Sequence, residues 1–299
     1  MASLPLGALI LATFSVACAV ALPSSGSQRA ATLLPPDQVS AFKPYSHYAS
    51  TAFCQPASTL SWTCGANCDS NPSFIPVASG GDGVITQYWY VGYDPILSEV
   101  IVAHQGTDVD KIVPDLTDVD IVLLPLDEHL FPEVEPPILV HQGFAATHSR
   151  SAPHVLEAVK TAMARFGTTA ITVVGHSLGA AIALLDTVYL PLHLTDATVR
   201  YVGYGLPRVG NSAFANYVDS LPISVTHITN REDPIPVLPP MALGFHHPSG
   251  EVHIQQSGDW VACPGQDNPS KDCSVGEVSV FTFNETNHDG PYDGVKMGC

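Results

Sequence analysis

The most constraining stretch of the sequence is residues 171–190, which read ITVVGHSLGAAIALLDTVYL. A β-branched run predicts a buried strand over 169–174, and an apolar run predicts a helix over 178–190 that ends before Pro191. Between them stands Gly-His-Ser-Leu-Gly, with Ser177 at its centre. A strand, a glycine-flanked turn and a helix together lift a serine hydroxyl out of a sheet and place it at a helix N-terminus. Ser177 is therefore the candidate nucleophile, and the alternative is a serine that caps the helix.

Strands and helices alternate along the rest of the chain. Beyond the central stretch the pattern predicts helices at 37–53 (broken at Pro44), 152–166 and 211–221, and β-rich runs at 85–92, 98–104, 199–204, 224–229 and 278–283. Alternation of this kind predicts an α/β domain whose sheet is parallel at least in part. In such a sheet, catalytic groups gather at the carboxyl ends of the strands.

A serine hydroxyl needs a histidine base and a carboxylate that orients the base. In sheets of this type the chain order is serine, acid, histidine. Asp233 and Glu232 both follow the predicted strand at 224–229, and Pro234 fixes the backbone after them. We expect Asp233 to be the acid. Glu232 is the alternative acid, and a simple Asp-Pro turn is the structural alternative.

The base is sought among the histidines that follow Asp233, which are His246, His247, His253 and His288. His288 comes just after the last predicted strand, in a loop that can fold back over the serine turn. His246 and His247 lie near the acid in the sequence and are interpreted as supporting groups, and His176 is interpreted as structural. The predicted triad is Ser177, Asp233 and His288.

The oxyanion that develops during acyl transfer needs preorganised donors. One predicted donor is the backbone N–H of Leu178, the residue after the nucleophile. The other is Thr107, in EVIVAHQGTD, where Gly106 allows a tight turn after a strand. The alternative for Thr107 is an ordinary Gly-Thr turn.

The N-terminal segment predicts secretion. Residues 4–22 are almost wholly apolar and small and predict a signal peptide over 1–21. Ala17-Cys18-Ala19 and Ala19-Val20-Ala21 are both small-x-small cleavage patterns. A membrane anchor is the alternative, but no basic flank would hold it in place. We expect 22–36 to be a mobile lead-in and 37–299 to be a single catalytic domain.

Charge narrows the range of partners. The formal net charge is −17, from 11 Lys and Arg against 28 Asp and Glu. A field of that sign argues against nucleic acid and against strong binding to anionic membranes.

Six of the seven cysteines remain after Cys18 leaves with the signal. An even number in a secreted chain predicts three disulfides, and loop closure favours the short pairs. The expected pairs are Cys64–Cys68, Cys263–Cys273 and, from the two that remain, Cys54–Cys299. A metal site at Cys64 and Cys68 is the alternative, but it lacks a suitably spaced second pair. No metal or organic cofactor is expected.

Together these motifs resemble the filamentous-fungal lipases of class 3, a family that also includes fungal feruloyl esterases. The matching segments are VVGHSLGAA, AHQGTD, LVHQGF, HITNREDPIPVLPP, GFHHPSGEVHI and NHDGPYDGVKMGC. The resemblance covers about residues 40–299. It implies an α/β-hydrolase fold with a mostly parallel central sheet flanked by helices, and it implies the triad, oxyanion hole and disulfides given above. One departure is HQGT, because relatives often carry an aromatic residue and an arginine before the glycine, which leaves the support of the Thr107 donor in doubt.

The resemblance also places a lid helix at about 108–117. Its apolar face would consist of Val109, Ile112, Val113 and Leu116, at spacings of three and four. Pro114 shortens any helix there, and a plain surface turn is the alternative.

The expected function is a secreted serine carboxylester hydrolase, most simply a triacylglycerol lipase. It would act as a monomer on lipid or other esters at a lipid–water interface, without nucleic acid and without stable membrane insertion. A feruloyl or other carboxylesterase with the same triad is the alternative, and a non-catalytic binding protein on the same fold is a remote one. Asn284-Glu285-Thr286 is a glycosylation sequon near His288.

Overall fold

The computed structural model describes residue 1 and residues 30–117, 121–279 and 284–299. Apart from residue 1, the predicted signal peptide lies outside these residues. The strands are β1 (Thr32–Leu33), β2 (Ile75–Gly80), β3 (Trp89–Asp94), β4 (Glu99–His104), β5 (Leu123–Pro125), β6 (Leu139–His141), β7 (Ala170–His176), β8 (Thr198–Tyr204), β9 (Gly210–Asn211), β10 (Ser224–Asn230), β11 (Phe245–His246), β12 (Glu251–Ile254) and β13 (Trp260–Cys263). The α-helices are α1 (Pro36–Ser40), α2 (Lys43–Thr51), α3 (Pro56–Ser61), α4 (Ala66–Asp69), α5 (Val109–Thr117), α6 (Gln142–Phe166), α7 (Leu178–His193), α8 (Ser212–Ser220) and α9 (Ser274–Glu277).

The described strands form two sheets. The large sheet has the order β1-β13-β12-β10-β8-β7-β4-β3-β2, and a small sheet has the order β11-β9-β6-β5. In the large sheet β4, β7, β8, β10 and β12 run parallel, whereas the strands on both sides of them pair antiparallel. The α/β fold is thus confirmed. The expected mostly parallel sheet is parallel only at its centre, because short turns join β2, β3 and β4, and also β12 and β13, and such turns allow only antiparallel pairing.

Strand β7, at the centre of the large sheet, is covered on both faces. Ile171 and Val173 belong to the core on one face, and Val174 belongs to the core on the other. The first core includes side chains of α6 and α7, and the second includes side chains of α2. A nearly continuous β-branched run is typical of a strand buried in this way.

Two helices are longer than their sequence patterns predict. Helix α7 continues past Pro191 to His193, because Leu192 still packs against the core. Helix α6 begins at Gln142 rather than at residue 152 and contains Pro153. The Nδ1 atom of His141 caps it by accepting the N–H groups of Gly143 and Phe144. Histidine is not a common N-cap residue, so the sequence does not signal this start.

The end of the large sheet also differs from expectation. Residues 280–283 of the predicted last strand lie outside the described ranges, and residues 278–279 are not in a strand. In the described ranges, the sheet continues beyond β10 with β12 and β13, which the sequence pattern does not predict. Strand β1 pairs with β13, so the described end of the expected mobile lead-in is anchored on the sheet.

The three predicted disulfides are present. They are Cys54–Cys299, Cys64–Cys68 and Cys263–Cys273. The first joins the turn after α2 to the last residue of the chain and so fixes the C-terminal tail. Within the described ranges, no helix combines the length and apolar character that a bilayer crossing requires.

Candidate active site

Ser177 occupies the sharp turn between β7 and α7. Its backbone angles are φ 56° and ψ −127°, a strained region for a residue with a side chain. The flanking glycines pack closely, since a Cβ on Gly175 would lie 2.2 Å from the carbonyl oxygen of Gly179. The N–H of Ser177 donates to the carbonyl of Tyr204 at 2.9 Å, which ties the turn to β8. The turn has the geometry of the nucleophile elbow that Gly-His-Ser-Leu-Gly predicts.

Asp233 and His288 lie side by side although 55 residues separate them in the sequence. The Nδ1–H of His288 donates to Oδ2 of Asp233 at 2.9 Å. The other carboxylate oxygen, Oδ1, accepts the N–H of Ile235 at 3.0 Å. Both side chains are buried. Because a carboxylate only accepts, this contact assigns the imidazole proton to Nδ1 and leaves Nε2 free to act as a base.

The ring of His288 stands next to the elbow. Its centroid is 4.4 Å from that of His176, and a Cβ on Gly205 would lie 2.8 Å from its Cε1 atom. The Oγ of Ser177 and the Nε2 of His288 are both buried, and neither has a hydrogen-bond partner in the described part of the chain. The serine–histidine hydrogen bond is therefore not made in this structure. Such contacts are often long or misaligned until substrate is in place.

Three polar residues hold the backbone around His288. The Nε2–H of His176 and the hydroxyl of Tyr292 both donate to the carbonyl oxygen of His288, at 2.8 Å and 2.9 Å. The amide of Asn230, at the end of β10, donates to the carbonyl of Asn287 at 2.7 Å. Burial, and then the neighbouring His288, hold the pKa of His176 well below its usual value, so His176 is a neutral donor. His176 is structural, as expected, whereas the roles of Tyr292 and Asn230 have no signal in the sequence beyond their closeness to the triad positions.

The other candidate acid and histidines lie elsewhere. Glu232 is half-buried, and its backbone carbonyl accepts the N–H of Asn284. The Nε2–H of His247 donates to the carbonyl of Pro236 at 2.7 Å, and so supports the loop that follows Asp233. His246 lies 3.1 Å from Asp267. Of the two candidate acids, Asp233 is the one whose carboxylate bonds to His288.

The loop after β4 packs directly against the elbow. A Cβ on Gly106 would lie 2.5 Å from the carbonyl oxygen of His176 and 3.1 Å from the Cβ of Ser177. Only glycine allows so close an approach. Thr107 follows Gly106, and Leu178 begins α7, so the two predicted oxyanion donors belong to separate elements that flank Ser177.

The predicted lid is a helix, α5, and its apolar side is turned inward. Ile112 is 3% exposed and Leu116 is 0% exposed, while Val113 is half-buried and Lys111 is exposed. The side chain of Val109 lies outside the described residues. Pro114 is accommodated inside the helix. The alternative of a plain surface turn is therefore wrong, because Ile112 and Leu116 give the segment an apolar stripe to bury.

A cavity of about 310 Å³ lies between α5 and the loop after Asp233. The helix contributes Val113 and Thr117 to its wall. The rest of its lining consists mainly of apolar side chains, namely Pro234, Val237, Leu238, Pro240 and Val278, together with Ser279 and Glu285. An apolar space of this kind suits a hydrocarbon chain.

Potential metal ligands also come together in the described ranges, at Glu251, Cys263 and Cys273. The two sulfurs are joined to each other in a disulfide, so neither is a thiolate. Oε1 of Glu251 accepts the N–H of Ser274 at 2.9 Å. These contacts give the three residues a structural role.

Comparison with known proteins assigns the chain to a family. A family model described as lipase (class 3) matches residues 101–243. A secreted mono- and diacylglycerol lipase of Malassezia globosa is 33% identical over 224 residues, which make up 74% of this chain and 72% of that protein. The chain belongs to the class 3 lipases. A secreted mono- and diacylglycerol lipase of Malassezia restricta is 32% identical over 223 residues, or 74% of this chain and 72% of that protein.

The triacylglyceride lipase of Rhizomucor miehei has a similar solved structure. It superposes with a TM-score of 0.77 at 21% identity and covers 90% of this chain and 98% of its own. That likeness concerns the fold alone. The class 3 membership confirms the family expected from the sequence, and with it a secreted lipase that hydrolyses carboxylic esters.

Proposed function

We propose that this class 3 lipase cleaves acylglycerol esters through an acyl-enzyme on Ser177. His288 is the general base, Asp233 orients it, and Thr107 and the N–H of Leu178 form the oxyanion hole. The observation that carries the proposal is the 2.9 Å hydrogen bond between His288 and Asp233, made beside the strained elbow that presents Ser177. A serine that only caps a helix would need neither a strained backbone nor a neighbouring Asp–His pair.

The reaction follows from the positions of the protons. Nε2 of His288 takes the Oγ proton of Ser177 as Oγ attacks the ester carbonyl, and the tetrahedral oxyanion is stabilised by Thr107 and Leu178. The imidazolium then gives its proton to the departing alcohol, which leaves the acyl group on Ser177. His288 next deprotonates a water molecule that attacks the acyl-enzyme, and it returns the proton to Oγ as the fatty acid leaves. Asp233 keeps its hydrogen bond to Nδ1 of His288 and stabilises the imidazolium.

The predicted lid, α5, is an argument for a substrate that the enzyme meets at a lipid surface. Opening α5 in water would expose Ile112 and Leu116, which are buried in this structure. Exposing a side chain of this size costs on the order of 1.5–3 kcal/mol. A lipid surface removes that cost because the apolar face remains in an apolar environment. The closed form is therefore favoured in water, and the open form is favoured at an interface.

The cavity and the lid also bear on which acylglycerol the enzyme prefers. The apolar cavity and the lid fit a triacylglycerol, which is insoluble and must be met at an interface. Mono- and diacylglycerols are a second candidate, because the Malassezia relatives are described as lipases for those substrates. A feruloyl ester would need neither the lid nor an apolar cavity for a hydrocarbon chain.

The test is the rate of hydrolysis against substrate concentration. Triolein, diolein and monoolein are taken through their solubility limits, and methyl ferulate serves as the soluble aromatic ester. Ser177→Ala is measured beside the wild type on all four. We expect the rate on an acylglycerol to rise steeply when a separate lipid phase forms, with little turnover of ferulate. The ranking of the three glycerides then selects between the two substrate candidates.

Two results would contradict the proposal. Ferulate turnover without a response to the interface would make the protein an esterase whose α5 is a fixed wall. Hydrolysis that survives in Ser177→Ala would remove the nucleophile from the mechanism.

We also propose that the mature enzyme is a monomer that loses residues 1–21 and carries a glycan on Asn284. Asn284 is exposed, and its Oδ1 accepts from the backbone N–H and hydroxyl of Thr286, which holds the sequon in a turn at the surface. N-terminal sequencing, light scattering and the mass shift after glycosidase treatment of the secreted protein test these statements separately.

A further inference from the structure

A buried carboxylate joins three elements behind the candidate site. Oδ2 of Asp186 accepts from Nε2 of His104 at 2.6 Å, and Oδ1 accepts from Nε2 of His148 at 2.8 Å. All three side chains are at most 1% exposed. His104 is the last residue of β4, Asp186 belongs to α7 and His148 belongs to α6. We call this group the His104–Asp186–His148 bridge.

The bridge is held by an ionised carboxylate. Burial by itself raises the pKa of Asp186, but His104 and then His148 outweigh it and bring the pKa down to about 2. Because a carboxylate only accepts, both imidazoles donate from Nε2. Hydrogen bonds to a buried charge are short and directional, and removing one partner is costly. The bridge is therefore a stiff connection, unlike the apolar contacts around it.

The position of the bridge relates it to the two oxyanion donors. His104 is followed by Gln105, Gly106 and Thr107, so it anchors the strand end that carries one donor. Asp186 lies about two helical turns beyond Leu178, on the same rigid helix as the other donor. The two elements also touch, since a Cβ on Gly179 would lie 2.3 Å from the carbonyl oxygen of His104.

The loop after β4 is also fixed by two hydrogen bonds between Gln105 and Tyr88. The N–H of Gln105 donates to the carbonyl of Tyr88 at 2.8 Å, and its side-chain oxygen accepts the N–H of Tyr88 at 2.9 Å. The sequence HQGT thus provides two anchors, His104 toward α7 and Gln105 toward the residue before β3. These are the positions at which the loop departs from its resemblance to the fungal lipases.

We propose that the His104–Asp186–His148 bridge sets the distance between the two oxyanion donors, and that its members are positioning residues for ester hydrolysis. The inference rests on the proposed function, because it takes Thr107 and Leu178 as the donors. A stiff link between the end of β4 and α7 matters because misplacing a catalytic group by about 1 Å can cost about 100-fold in rate. A role in core stability alone would leave the transition state unaffected.

His104→Phe tests the inference, because it keeps an aromatic ring in the core and removes the donor. With p-nitrophenyl butyrate, we expect kcat to fall about 10- to 100-fold while KM stays within about twofold. The expected decrease in kcat is no larger than the decrease of about 100- to 1,000-fold that follows removal of one oxyanion donor. Inhibition by an alkyl boronic acid, which forms a tetrahedral adduct on serine, should weaken by the factor lost in kcat/KM. His104→Gln, whose amide can still donate to Asp186, should recover most of the rate.

Tyr48→Phe is the matched control. It removes a buried hydrogen bond to the carboxylate of Asp94, between α2 and β3, and leaves the oxyanion elements untouched. It should lower the melting temperature and leave kcat unchanged. If His104→Phe does not fold, Asp186→Asn is judged by the same criterion, since it keeps the shape and one acceptor.

Unchanged kcat and unchanged boronate inhibition in a folded bridge variant would overturn the inference. Failure of the proposed function looks different. In that case Ser177→Ala remains active, or the wild type does not bind the boronate at all.

Discussion

The Nε2–H of His176 donates to the backbone carbonyl of His288 at 2.8 Å, so the residue before the proposed nucleophile holds the proposed base. The hydroxyl of Tyr292 donates to the same oxygen at 2.9 Å. The elbow and the C-terminal loop are therefore connected independently of Asp233. This connection explains how a loop so distant in the sequence keeps its place at the elbow.

Removing the His176 donor should slow catalysis without weakening substrate binding. We expect His176→Phe to lower kcat on a soluble ester about tenfold, because the His288 backbone loses one of its two donors and small displacements of a base are costly. His176→Gln retains a donor and should lose much less. Steady-state kinetics measures both, and equal kcat values for His176→Phe and the wild type would contradict this role.

Asp233 and Glu232 make a matched pair of neighbouring acids. Asp233→Asn should lower kcat about 10,000-fold, because an amide cannot hold the imidazole in the tautomer that leaves Nε2 free. Glu232→Gln should stay within about twofold, because its backbone carbonyl, rather than its carboxylate, bonds the loop at Asn284. A large loss in Glu232→Gln with an active Asp233→Asn would transfer the role of the acid to Glu232.

The stacked histidines His227 and His247 should make stability fall in mild acid. Burial lowers the pKa of both, and for His247 the neighbouring His227 and Arg208 lower it further. Below about pH 6.5 the unfolded chain binds protons that the native protein does not, so the free energy of unfolding decreases as the pH falls. Each such proton contributes a slope of up to about 1.4 kcal/mol per pH unit.

His247→Gln should therefore reduce the slope of the unfolding free energy against pH below about pH 6.5. The reduction should be up to about 1.4 kcal/mol per pH unit, which corresponds to one proton. The amide can still donate to Pro236, so the loop after Asp233 should stay in place. His129→Gln replaces an exposed histidine and serves as the control. Urea unfolding at several pH values measures the slopes, and an equal slope in His247→Gln and the wild type would refute the assignment.

The Cys54–Cys299 bridge should contribute more stability than Cys64–Cys68. It closes a sequence separation of 245 residues, against 4 for the short bridge. Removing a native disulfide from a secreted domain costs about 2–5 kcal/mol, and the cost increases with the length of the closed loop. Cys54→Ser with Cys299→Ser should lower the unfolding free energy by an amount in this range, and Cys64→Ser with Cys68→Ser by less. The reverse order in thermal unfolding would contradict the prediction.

The parts of the site that could be predicted are those with local signals. The β-branched run, the two glycines and the apolar helix define the elbow within one stretch of sequence. Asp233 and His288 follow from the chain order and from their places after predicted strands, of which the one before Asp233 is β10. The structure brings the two side chains together at 2.9 Å. The helix α5 is expected from the resemblance to the fungal lipases, and the spacing of Ile112, Val113 and Leu116 predicts its apolar face.

The remaining features depend on contacts between distant residues. Asp186 lies 82 residues from His104 and 38 from His148, and no local pattern pairs them. Strand β12 reads Glu-Val-His-Ile and looks half-exposed, yet all four residues are buried, because Glu251 and His253 find polar partners in the core. The apolar stripe of α5 indicates which face is buried but not whether that face is turned toward the protein or toward lipid.

Labelling with a p-nitrophenyl alkylphosphonate tests directly whether Ser177 is the nucleophile and His288 its base. Intact mass and peptide mapping are recorded for the wild type, Ser177→Ala and His288→Gln. We expect one adduct per wild-type molecule, on Ser177, with activity lost in proportion. We expect no adduct in Ser177→Ala and much slower labelling in His288→Gln. An adduct on another residue with activity lost, or an equal labelling rate in His288→Gln, would refute these two roles.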